Sequence, residues 1–61
     1  MIVIVRGTLT EVALDIELKR RGIETFHRDW DNGEYHLGVE EKYRDKVRDW
    51  FAHDDNVLWL S

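Results

Sequence analysis

The order of elements read along the chain, β-α-β-β-α-β, predicts a ferredoxin-like α+β sandwich, with a four-stranded antiparallel sheet carrying both helices on one face. Three observations predict it. An Asn-Gly pair sits between two alternating segments, two amphipathic stretches carry helix start and stop signals, and β-branched runs open and close the chain. At 61 residues the chain makes one small domain, 1–61, which buries only about 60% of the surface its unfolded form exposes. Cys 0 excludes disulfides and thiolate metal sites, so the core rests on apolar packing, completed or not by a partner chain.

Met1 to Val5, "MIVIV", bounded by Arg6-Gly7, reads as a strand buried on both faces. Thr8 with Glu11 three residues later is a capping-box pattern, so a helix is expected to start there. It is expected to end at Arg20-Arg21-Gly22, with cations in the last turn and glycine in the left-handed conformation. Ile23–Trp30 and Glu34–Val39 flank Asp31-Asn32-Gly33, and a type I′ turn at Asn32-Gly33 needs positive φ at both central residues. A second helix starts near Glu40-Glu41 with the stripe Tyr43, Val47, Trp50 and Phe51. Asp54-Asp55-Asn56 breaks it, and Val57 to Leu60 is the closing strand.

The stretch "DWDNGEYH" (Asp29–His36) concentrates acids, aromatics and a histidine, and could be either a site or a turn. A two-residue turn pairs Trp30 with Tyr35, Asp29 with His36, Arg28 with Leu37, His27 with Gly38 and Phe26 with Val39. Alternation then sends Phe26, Trp30, Tyr35, Leu37 and Val39 to one face and Thr25, His27, Asp29, Asp31, Glu34 and His36 to the other. An EF-hand loop is excluded, because Trp30 and Arg28 occupy two of the places where it needs oxygen ligands. His27, Asp29 and His36 converge on one face and could hold zinc, but a fourth ligand is missing. The stretch is read as a turn, and no metal or cofactor is expected.

Catalysis is not expected either. Ser61, Thr8, Thr10 and Thr25 have no histidine at a triad-like spacing, and the chain has neither GxGxxG nor GxxxxGK[ST]. Net charge −4 and basic residues interleaved with acids, as in "EEKYRDKVRD", argue against nucleic acid. RNA-binding domains of the same element order stack bases on aromatics of the central strands, and Ile2 to Val5 has none. The longest apolar run is too short for direct membrane insertion, no small-molecule substrate is evident, and a reducing, cytoplasmic setting is expected.

The first helix carries apolar side chains on two sides. Leu9, Val12, Ala13 and Ile16 lie within one arc and can cover the sheet, leaving Leu14 and Leu18 on nearly the opposite side. The helix can also be rolled so that Leu14 and Leu18 face inward and Val12 or Ile16 is exposed. With Leu58 and Leu60 inward, Trp59 and Val57 fall on the open sheet face, and tryptophan is a favoured interface anchor. The expected core is Val3, Val5, Val12, Ile16, Phe26, Leu37, Val39, Val47, Trp50, Phe51 and Leu58. The expected partner-binding residues are Leu14 and Leu18 with a polar rim of Glu11, Asp15 and Arg21, and Trp59 as a second anchor.

Ala13-Leu14 and Leu18, Gly22-Ile23 leading into a hairpin, Tyr35-His36-Leu37 on an aromatic-rich strand, and Glu41 to Phe51 with "KVRDWF" form a pattern. That pattern resembles the N-terminal cytosolic domain of some bacterial rhomboid proteases and related small prokaryotic signal-transducing domains. The resemblance covers most of the chain in spacing and residue class. It implies an accessory, non-catalytic domain without protease activity, since the catalytic membrane helices of that family are absent. The expected function is therefore a protein–protein interaction module, regulating a larger protein or self-associating. The alternative is a small phage-type inhibitor that binds and blocks a host enzyme or defence complex.

Overall fold

In the computed structural model, which describes residues 1–61, the chain runs β1 (Ile2–Arg6), α1 (Glu11–Arg21), β2 (Thr25–Asp31) and β3 (Glu34–Val39). A 3-10 turn at Glu41–Tyr43 leads into α2 (Arg44–His53), and β4 (Val57–Leu60) closes the chain. The strands order β2-β3-β1-β4, every neighbouring pair antiparallel. This is the predicted sandwich. Each helix returns the chain to a strand parallel to the one it left, and the intervening strand separates the two.

Asn32 and Gly33 have φ of 52° and 80°, so the hairpin turns as its sequence requires. From there Asp31 to His27 pair with Glu34 to Gly38 in the expected register. The register shifts between Thr25 and His27, where Thr25 rather than Phe26 lies opposite Val39. Phe26 is the extra residue of a β-bulge, which breaks the alternation. Its ring lies across Gly38 on the open face, where a Cβ on Gly38 would come within 2.8 Å of the Phe26 Cε1. Phe26 is 68% exposed and is not in the core.

A second bulge does the same in β4. Ile4 pairs with Trp59 and Val5 with Val57, leaving Leu58 as the extra residue. Val57 therefore points into the core and Leu58 stands half exposed, the reverse of the simple alternation.

The helix α1 begins at Glu11, not at Thr8, because Thr10 is the residue whose Oγ1 accepts from the Ala13 N–H at 3.1 Å. Its end sets the roll. Gly22, at φ 70°, donates to the Lys19 carbonyl, and Ile23 donates to the Leu18 carbonyl at 2.9 Å. This cap brings the residue after the glycine against the one four positions before it, so Ile23 and Leu18 enter the core together. Leu14, one turn earlier, follows and is fully buried. Val12 and Ile16 then face solvent, at 68% and 61% exposure, instead of covering the sheet.

The core is Val3, Val5, Leu14, Leu18, Ile23, Tyr35, Leu37, Val39, Val47, Trp50 and Val57. Phe51, placed in the core by its helical spacing, flanks the buried pair Val47 and Trp50 and is half exposed. Trp50 donates its Nε1–H to Asp54 Oδ2 at 2.9 Å, and Asp54 Oδ1 accepts from the Asn56 N–H at 2.9 Å. Burial pushes the Asp54 carboxyl up, but the hydrogen bonds from Asn56 and Trp50, aided by Arg21, outweigh it and hold the group below the usual aspartate range.

Leu14→Ala is expected to cost about 2–5 kcal/mol, whereas Ile16→Ala should stay within about 0.5 kcal/mol of the parent. Urea melts of the two variants check this, and a larger cost at Ile16 than at Leu14 would mean that the helix is rolled the other way. The Asp54 pKa is depressed on folding, so its contribution is present above the ordinary aspartate value of about 3.9 and is lost as pH falls toward the folded value. Stability measured against pH should thus fall less steeply below about pH 4 in Asp54→Asn than in the parent; an unchanged slope would show that Asp54 does not contribute.

Candidate binding surface

The expected anchors Leu14 and Leu18 lie in the core and cannot furnish a docking stripe. Their rim is also partly engaged. Asp15 Oδ1 takes Arg28 Nη2 at 2.7 Å, clamping α1 to β2. Arg21 donates to Glu17 Oε1 at 2.7 Å, lies 3.6 Å from Asp49, and stacks over the Trp50 ring at 5.8 Å. Hydrogen bonds from Arg20 and then Arg21 hold the Glu17 carboxyl below the ordinary glutamate range. Glu11 is exposed in the first turn of α1. The exposed apolar stripe of this helix is Val12 and Ile16, one turn apart on the side away from Leu14 and Leu18.

Trp59 lies where the sequence placed it, half exposed on the sheet face away from the helices and directly opposite Ile4. Around it the structure assembles side chains that the sequence reading left elsewhere. Val3 and Val5 are buried, so Ile2 and Ile4 emerge on the open face, beside Gly38 and His36 respectively. The two bulges add Phe26 at one edge and Leu58 at the other. An apolar band therefore crosses all four strands obliquely, from Phe26 over Gly38 through Ile2 and Ile4 to Trp59 and Leu58. Strict alternation in β1 would have exposed Ile2 and Ile4, but a run of β-branched residues reads equally well as buried on both sides. Nothing in the sequence marks the bulges.

The rest of the open face is polar. Asp29, Asp31 and Glu34 gather beside the hairpin turn, and Arg6 lies opposite Glu34. His36 sits opposite Asp29, with Nε2 enclosed and lacking a hydrogen-bond partner. Glu34 Oε1 is 3.4 Å from that nitrogen without forming a hydrogen bond to it. No group of three His, Cys, Asp or Glu side chains has an arrangement that could hold a metal ion. Thr10 caps α1, and Ser61 Oγ accepts from the Ile2 N–H at 2.9 Å, so both hydroxyls have structural roles.

A cleft of about 320 Å³ lies between the helices, lined by Arg21, Asp45, Lys46 and Asp49. Ligand pockets are mostly apolar with a few placed polar groups, and this one is charged throughout. No helix is long and apolar enough to cross a membrane. What the molecule offers chemically is apolar surface, on the open sheet face and along the outside of α1. No protein-family model matches the chain, and neither does any curated protein or solved structure.

Proposed function

We propose that the chain is a non-catalytic protein-interaction module of the accessory or regulatory kind, working in the cytoplasm. One observation carries this reading: large apolar side chains stand exposed on both outer surfaces of a two-layer fold. Val12 and Ile16 crown one layer, and Phe26, Ile2, Leu58 and Trp59 line the other. Scattered exposed leucines are ordinary, but contiguous apolar patches rimmed by charge mark protein contacts. The acids beside the hairpin turn give the open face such a rim, which steers approach and selects partners more than it adds affinity. The similarity of Gly22-Ile23, Tyr35-His36-Leu37 and "KVRDWF" to the rhomboid cytosolic domain supports the accessory role.

The reading is tested by placing a photo-crosslinking side chain at positions 16, 26 and 59 in living cells, with position 55, an exposed polar site, as control. Protein adducts of discrete mass are expected from the apolar positions and not from position 55. Adducts that are absent, or equally frequent from position 55, would overturn it.

A further inference from the structure

We propose that Asn32 is a site of spontaneous covalent modification in the folded chain, its side-chain amide converting through a cyclic imide to an isoaspartyl or aspartyl residue. The observations are those of the hairpin tip and are independent of the protein-binding reading. Asparagine is among the thermally labile residues, and a following glycine, lacking Cβ, leaves its nitrogen open to approach. The sequence makes the reaction available, and the fold decides whether it proceeds.

Water is the only co-reactant. The Gly33 N–H gives its proton to solvent base, and the nitrogen attacks Asn32 Cγ. The new N–Cγ bond closes a five-membered ring as the bond from Cγ to the amide nitrogen breaks, and ammonia leaves with a proton taken from solvent. Water then opens the ring at one of its carbonyls. Breaking the N–Cγ bond gives an aspartyl residue. Breaking the bond from the nitrogen to the main-chain carbonyl of Asn32 gives an isoaspartyl residue, in which the main chain runs through Cβ.

The turn leaves this step open. Asp31, Asn32 and Gly33 are all exposed. Neither the Asn32 carbonyl nor the Gly33 N–H makes a backbone hydrogen bond, so nothing pins the peptide between them. Ring closure needs Cβ to eclipse the Gly33 nitrogen, a ψ of about −120° at Asn32, which is the value at the first central position of a type II′ turn. Types I′ and II′ share a φ of about +60° there, and Asn32 already stands at 52°. A flip of one peptide therefore carries the turn from I′ to II′, and both types close a two-residue hairpin. Gly33 accepts either sign of φ, and nothing lies within 4 Å of where its Cβ would be. The reaction thus requires neither strand to unpair.

The products change the tip in two ways. The new carboxylate joins Asp29, Asp31 and Glu34 at the acidic corner and takes the net charge one unit below −4. An isoaspartyl residue also adds one carbon to the main chain. A two-residue turn closed by Asp31 opposite Glu34 has no place for it. Gly7 also packs so closely that a Cβ there would overlap the Gly33 carbonyl oxygen, which closes the space on that side.

Incubation of the folded chain at neutral pH, followed by mass-spectrometric peptide mapping of position 32, tests the proposal. Both products should form within about tenfold of the rate in guanidinium-unfolded chain, the fold adding no more than about 1.4 kcal/mol to the barrier. The rate should also stay flat in guanidinium below the unfolding transition. Asn32→Gly, whose Gly-Gly pair suits the same turn, should keep the circular dichroism spectrum and form no product. The isoaspartyl fraction should melt at a lower denaturant concentration than Asn32→Asp, whose main chain is not lengthened; equal melts overturn the effect on the turn. A slower folded rate, or one that climbs with the unfolded population, overturns the proposal, because the reaction then belongs to the unfolded chain. So does a product that is aspartyl alone, which marks hydrolysis of the amide without the ring.

Discussion

Two helices and four strands must be closed here by eleven buried apolar side chains, and the fully buried Trp50 joins three of the elements that surround them. Its indole fills the space under α2, and its Nε1–H reaches forward to Asp54, the residue at which the helix ends. Asp54 turns the chain through its bond from Asn56, and its carbonyl accepts from Val57, so β4 starts where the tryptophan dictates. From the other helix, Arg21 lies over the same ring while binding Glu17. One side chain thus ties α2 to β4 and to the end of α1. A buried indole needs a partner for its nitrogen, and that requirement links helix, turn and strand in a single local arrangement.

The parts of this architecture that could be read from the sequence are those set by nearest neighbours. Asn32-Gly33 specifies a turn, the turn specifies a register, and Asp29 facing His36 follows from counting. Gly22 and the break at Asp54 are of the same kind. The parts that escaped are those in which one inserted residue changes a face. Alternation places Phe26 and Leu58 inside, while the bulges put both at the surface and send Val57 inward in place of Leu58. The roll of α1 escaped for another reason. Both of its sides are apolar, and the cap joining Ile23 to Leu18 settles which of them is buried.

The functional surface was legible to the same extent. Trp59 lies on the open face in both the sequence reading and the structure, because its neighbour Leu60 keeps its side of the strand. Leu14 and Leu18 look like an exposed docking stripe only while Val12 and Ile16 are assumed to cover the sheet. The two pairs exchange places as a unit, so the stripe remains while its residues change. Phe26 and Leu58 join the surface through the bulges, and no local residue pattern announces them.

Those bulges also bear on how the sheet ends. β2 and β4 are its outer strands, and each would offer an unpaired row of backbone donors and acceptors to any extended chain that met it. An added residue bends the strand and increases its twist, so the row is no longer straight. β4 is only four residues long, and β2 carries Arg28, Asp29 and Asp31 along its length. Lateral growth into a fibre is therefore obstructed at both margins. For a protein with this much exposed apolar surface, margins that are poor templates for a further strand work against open-ended assembly.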